Sequence, residues 1–241
     1  MTGRPLGNFV NNVTGKVEPR IATLEARLSF IRKVYALFFV AILVASTGVF
    51  LGMTQNPIGA FARTQTGSIV FYILAIVSMI AAYFGRHVKP LNFILLYLMC
   101  AFDGLSIANL LSLIMAANLG HTLGQAFVMT AGVFGGLTAY VFISKKDFSF
   151  LSGFLWVGLI ILILASLVFA FMPESRGLGF VIAVGGVFLM SGFILYDTSN
   201  ILHHYDESEY IDATIQLFID FFLMFIYILR ILVMVALSSR D

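Results

Sequence analysis

The sequence predicts an all-α membrane protein with seven transmembrane helices, and three observations carry that expectation. The 241 residues are 60% hydrophobic and 11% charged, with a mean hydropathy of +1.00. A soluble domain is about 45–50% apolar and about 25% charged. The apolar residues fall into seven stretches, roughly 34–53, 66–84, 91–117, 125–143, 149–172, 178–199 and 211–237, each near the ~20 residues that cross a bilayer as a helix. Segments of about ten alternating residues, the mark of a membrane barrel, do not occur. A backbone in lipid must pair its own N–H and C=O groups, so spans of this length are helices.

Taken in order, residues 1–28 form a polar N-terminal tail. It lacks the apolar core of a signal peptide and is expected to be partly disordered, with helix from about Ile21. Residues 29–241 form a single integral membrane domain, because no intervening segment is large enough to fold alone. Pro57, Pro90 and Pro173 fall between spans, where a missing N–H does no harm. Gly132 and Gly136 make a GxxxG pair in the fourth span, and Gly185, Gly186 and Gly192 lie in the sixth. Small residues let helices approach closely, so tight packing within the monomer is expected, a dimer contact being the other use. No internal repeat argues for inverted symmetry. The lone Cys100 permits neither an internal disulfide nor a thiolate cluster and reads as a packed small residue. A net charge of +2 without a dense basic patch argues against nucleic acid; the partner that composition demands is the lipid bilayer.

Orientation follows from Lys and Arg. Arg20, Arg27, Arg32 and Lys33 precede the first span, Arg86 and Lys89 follow the second, and Lys145 and Lys146 follow the fourth. The other side holds Arg63, Arg176 and the terminal Arg240. The N-terminus and the basic loops are therefore expected in the cytoplasm, with the C-terminus outside unless the last stretch is re-entrant.

Chemistry is expected where charge lies in lipid. The last stretch, Ile211 to Leu237, contains Asp220 and Arg230. A charge at that depth is costly and marks either a function or a partner. At about 100° per residue, Asp212, Gln216, Asp220 and Tyr227 share one face, with Asp220 about 13 Å from the helix start. Such a stripe suits a helix surrounded by the others and lining a cavity; a hydrogen-bond network that fixes helix register is the alternative. Asp197 closes the sixth span and is joined to the seventh by the short segment 200–210, which permits close approach. Two carboxylates sharing a site do not both ionise easily and titrate as a pair. They can hold a proton as a latch between two helices. When both ionise, they repel or attract a hard cation such as calcium, which takes oxygen ligands.

Asp103 is a third intramembrane acid, suited to a cation pathway or to pairing with Arg230. Arg230 is expected on a different face from Asp220, with a structural role. The loop His203-His204-Tyr205-Asp206-Glu207-Ser208-Glu209 reads first as solvated and second as a collector of cations or a pH sensor. His87 and His121 suggest no metal site. The metal-hydrolase, phosphate-loop and serine-nucleophile motifs are all missing, so no enzyme and no resident cofactor is expected. Two aspartates on adjacent helices suit an intramembrane aspartyl protease, but Phe218-Ile219 stand before Asp220 where that class has Gly-x-Gly.

Several runs resemble the transmembrane Bax-inhibitor-motif family, also called the Bax inhibitor-1 or YccA-like family, and in particular its bacterial members. They are Leu195-Tyr196-Asp197-Thr198, Leu217-Phe218-Ile219-Asp220, and Phe225 through Leu229-Arg230-Ile231-Leu232. Gln125-Ala126-Phe127, Thr130 and Phe134 also match, followed by Lys145-Lys146-Asp147-Phe148-Ser149-Phe150-Leu151, and Arg32-Lys33-Val34-Tyr35 resembles the family's first span. The resemblance covers about residues 27–237. It implies seven helices with the last central and enclosed by the other six. It also implies a pH-sensitive calcium leak whose sensor is a pair of aspartates at the positions of Asp197 and Asp220. Two positions depart from the pattern: Leu223 stands where many members have Asn, and the second span has no internal arginine, the nearest being Arg86. Some bacterial relatives modulate membrane proteases, which makes an interaction protein without ion flux the second reading. A bacterial inner membrane is the expected location.

Overall fold

A computed structural model describes residues 7–85, 88–171 and 176–239, with side chains from residue 25 onward apart from those of Ala170 and Arg176. Arg86, His87, Pro173, Arg240 and the side chain of Arg176 lie outside the described residues, as do residues 1–6 of the N-terminal tail. The chain forms α1 (Gly7–Met53), α2 (Pro57–Ala62), α3 (Gln65–Gly85), α4 (Leu91–Ser106), α5 (Ala108–Ala116), α6 (His121–Ser144), a 3-10 turn (Ser149–Leu151), α7 (Ser152–Phe171), α8 (Arg176–His203) and α9 (Tyr210–Ser238). No strand occurs among the described residues. Among the described residues, seven segments are long and apolar enough to cross a membrane: 25–53, 65–85, 91–116, 121–144, 149–169, 177–203 and 210–238. They coincide with the seven expected spans. Helix α1 starts at Gly7 rather than near Ile21 and runs through the polar tail without a break.

Local chemistry sets the ends of these helices. Asn56 caps α2 by accepting the Gly59 N–H at 2.6 Å, with Pro57 in the first turn, where its missing N–H and fixed φ suit the helix start. Arg63 donates to the carbonyls of Gly52 at 2.9 Å and Thr54 at 2.7 Å, satisfying groups that the end of α1 leaves open. Helix α6 stops where Lys145 turns left-handed at φ 52°. Asn118, at φ 57°, makes the corresponding turn between α5 and α6.

The third span departs from expectation. Its apolar stretch reads as one helix, yet it is broken at Ile107 into α4 and α5. A break inside a membrane exposes backbone groups that some neighbour must satisfy. Here Ser68 on α3 donates to the Ser106 carbonyl, and the Ser106 hydroxyl donates to the Asp103 carbonyl at 2.7 Å.

Helix α9 packs directly against α1, α4, α6 and α8, and Leu217, Phe218, Met224 and Leu229 are among its fully buried side chains. On one flank, Phe38 of α1 stacks on Phe134 of α6 at 5.0 Å, and both meet Phe221 of α9 edge-on, at 5.8 and 5.5 Å. Helices α1 and α4 touch backbone to backbone. A Cβ on Gly48 would run into the Ala101 carbonyl, and one on Gly104 into the Ala45 carbonyl. Cys100 is fully buried beside this seam, as expected of a packed residue.

The glycine pair of α6 does not do what its spacing suggests. Nothing lies within 4 Å of a Cβ built on Gly132 or Gly136, nor on Gly185 of α8. Those glycines face outward and contribute no tight packing within the monomer. Two glycines of α8 do: Gly186 lies under the Tyr227 ring and Gly192 under Leu155.

Candidate functional site

Asp197 near the end of α8 and Asp220 in the middle of α9 are both 4% exposed. Helices α8 and α9 run back antiparallel from the short turn 204–209, which sets the two carboxyl groups against each other within hydrogen-bonding reach. Asn200, one turn past Asp197, also reaches it. The outer oxygens, Oδ1 of Asp197 and Oδ2 of Asp220, are buried without a hydrogen-bond partner. Two carboxylates in such contact repel, whereas one shared proton turns the contact into a short charge-assisted hydrogen bond. The arrangement therefore has two distinct states, one holding the helices together and one pushing them apart.

The pair opens onto a cavity of about 360 Å³ lined by Trp156, Tyr196, Asn200, Tyr205, Gln216 and Leu223 as well as the two acids. Gln216, Ile219, Trp156 and Tyr205 also line a second cavity of about 540 Å³, together with Glu209 and Asp212. Acids lining a cleft raise the local concentration of cations. Burial, and next the neighbouring Asp197 charge, push the Tyr205 phenol well above its ordinary range, so it keeps its proton beside the acids. The donor set around the pair offers two carboxylates and the neutral oxygens of Asn200 and Gln216. Calcium takes six to eight oxygens, so these residues suit a cation passing through with much of its water shell rather than one held tightly. No group of three or more His, Cys, Asp or Glu side chains is placed to hold a metal among the described residues.

The other expected site residues fall elsewhere. Asp103 is buried on α4 and does not line the Asp197–Asp220 cavity. It makes no ion pair with Arg230 among the described residues. Arg230 and Tyr227 line a separate cavity of about 560 Å³ with Tyr72, Ser68, Asn109 and Leu223, at the opposite end of α9 from Asp212. Arg230 is exposed and Asp220 buried, and they lie about 80° apart round α9 at 100° per residue. Arg230 follows Leu223 and Tyr227 along the stripe that begins at Gln216, and all of these residues front cavities.

Sequence reasoning missed three lining residues. Asn200 was within reach of the same helical arithmetic, three residues past Asp197. Tyr205 falls in a loop that reads as solvated. Trp156 comes from α7, and nothing in the sequence says which face of that uniformly apolar helix meets α8. Reasoning also missed Arg27, which donates to the carbonyls of Leu202 at 3.0 Å and of Tyr205 and so holds the end of α8 to α1.

The loop 203–209 is solvated over most of its length: His203, His204, Asp206, Glu207 and Ser208 are exposed. His204 pairs with Asp147 at 2.9 Å, joining this loop to the one before α7. The Ser149 N–H, which donates to Asp147 at 2.8 Å, followed by the Ser149 hydroxyl and then His204, holds the Asp147 carboxyl down at about 2. A carboxylate ordinarily titrates near about 3.9. A depressed group contributes stability that is present above its unfolded value and lost as pH falls through its folded value. Asp147→Asn is therefore expected to melt slightly below the wild type from neutral pH down to about 4 and to converge with it near pH 2, as measured by thermal unfolding in detergent across that range. A difference that persists unchanged into the most acid samples would count against this assignment.

The family described as "Inhibitor of apoptosis-promoting Bax1" matches residues 27–236. Bax inhibitor 1 of Schizosaccharomyces pombe is 37% identical over 221 residues, covering 89% of this chain and 80% of that protein. Protein lifeguard 4 of Mus musculus is 33% identical over 212 residues, covering 88% of this chain and 87% of the mouse protein. An uncharacterized protein of Campylobacter jejuni is 31% identical over 212 residues, covering 87% of this chain and 90% of its own length.

Proposed function

This chain belongs to the Bax inhibitor family of membrane proteins, and from that premise we propose that it is a pH-sensitive calcium leak gated by Asp197 and Asp220. The observation that carries the reading is the contact of these two buried carboxyl groups beside a cavity that shares lining residues with a second one containing Glu209 and Asp212. With one proton shared, α8 and α9 are latched together. Loss of that proton leaves two like charges in a poorly solvated place. Their repulsion is relieved by separation or by a divalent cation, and both favour passage of calcium along the polar face of α9. Protons and calcium are thus the two ligands of the same pair. The Lys and Arg distribution supports a cytoplasmic N-terminus, and the similarity to a bacterial relative supports a bacterial inner membrane.

The test is calcium release from liposomes containing the purified protein, followed across a pH series beside protein-free liposomes. Release that depends on both protein and pH is expected. Equal release from the two at every pH would overturn the proposal.

A second reading has its own observation, the names of relatives such as Bax inhibitor 1. In that reading the chain acts by binding another membrane component, a membrane protease or a cell-death or stress protein, without ion flux. It predicts a stoichiometric partner in native membranes and inert purified protein.

A further inference from the structure

The cavity at the aspartate pair and the cavity at Arg230 have one lining residue in common, Leu223. It lies three residues past Asp220 and four before Tyr227, so it occupies the polar stripe of α9 at the point where that stripe is interrupted by an apolar side chain. On one side are about 360 Å³ beside the acids. On the other are about 560 Å³ lined by Tyr72, Tyr227 and Arg230. The break in the third span faces this second cavity through Ser106 and Ile107, and non-helical backbone at membrane depth is tolerated where it lines a cavity of this kind.

We infer that the Leu223 side chain is the seal between two halves of one polar path along α9, and that it closes the path by excluding water. A constriction of this kind gates by dewetting, so its apolar surface matters as much as its width. The path enters past Glu209, Asp212 and Gln216, reaches the aspartate pair, meets Leu223, and continues past Tyr227 to Arg230. The inference rests on the proposed leak but concerns a different property, the place where the chain is closed.

The experiment reads access rather than flux. Ile219, which lines the half with the acids, is replaced in I219C with Cys100→Ser as background, since the native thiol is fully buried. The protein is reconstituted in both orientations, and a small membrane-impermeant methanethiosulfonate reagent is added outside. A parallel E207C variant, at an exposed loop position, reports the fraction whose acidic mouth faces the reagent. With Leu223 intact, I219C is labelled to that same fraction. With L223A or L223N, labelling rises to nearly every molecule, about twofold for even insertion, while L223F stays at the reference. Should L223A fail to fold, L223N carries the test.

Labelling of I219C from both sides with Leu223 in place, or labelling left at the reference by L223A and L223N, would overturn the inference. Calcium release from the same liposomes separates the two claims. A pH-dependent leak with unchanged access removes Leu223 as the seal and keeps the leak. Opened access in a protein whose wild type never leaks keeps the seal and removes the leak.

Discussion

Asp220→Asn is expected to abolish the pH dependence of the proposed calcium release. An asparagine is close to the shape of the protonated acid and donates from its amide to Asp197 without ever losing a proton. The variant therefore holds the pair in its proton-sharing state, and release stays at the level that the wild type reaches when its pair is protonated. On the flank of the titration the wild type changes by up to about tenfold per pH unit, since one proton is exchanged; the variant is flat over the same range. Asp197→Asn behaves alike, because the contact is reciprocal. Asp220→Val separates latch from fold: it leaves the buried Asp197 carboxyl without the Asp220 contact, at a cost of about 1–3 kcal/mol, so it is also expected to melt earlier. Release from Asp220→Asn that tracks pH as steeply as the wild type would remove the pair from the sensor role.

The largest effect on folding is expected at Gly104. Gly48 and Gly104 face each other across α1 and α4, and a Cβ on Gly104 would meet the Ala45 carbonyl and come within 2.9 Å of the Val49 nitrogen. These are backbone atoms of a packed helix, so no side-chain rotation relieves the clash and the helices must move apart. Overpacking a tight core costs about 1–3 kcal/mol. Gly104→Val is expected at or above the top of that range, since the separation also unseats the buried face of α4 at Met99 and Cys100. Gly132→Val is the control. Its glycine meets nothing within 4 Å, so its melting temperature in detergent should stay close to the wild type while that of Gly104→Val falls sharply. Indistinguishable melting of the two would mean that the α1–α4 seam does not bear on stability.

The contrast between these glycines shows where a sequence stops informing. Gly104 sits in an unremarked Phe-Asp-Gly-Leu run, whereas Gly132 and Gly136 carry a recognised packing motif, yet the first is the close approach and the second pair faces outward. A glycine's role is decided by what lies opposite, which its own neighbours in sequence do not specify. The seven spans were legible because lipid leaves the backbone one way to pair its polar groups. The Asp197–Asp220 contact was legible because a short turn forces two helices antiparallel and because acids in lipid must find a use. The break at Ile107 was not, because its cost is met by Ser68, a residue of another span.

The aromatic contact of Phe38, Phe134 and Phe221 determines which parts of the bundle can yield. It fastens α9 to α1 and α6, while the acid face of α9 borders a cavity lined also by Trp156 and Leu159 of α7, whose main packing partner is α8. Charge repulsion pushes equally on both partners, but displacement goes to the less anchored one. Helix α9 is thus the stator of the proposed leak. The strain of ionisation would fall on α8, with α7 riding on it, and its travel is restrained by packing on α6, by the Phe148 N–H that donates to Ser199 and by the Arg27 tether.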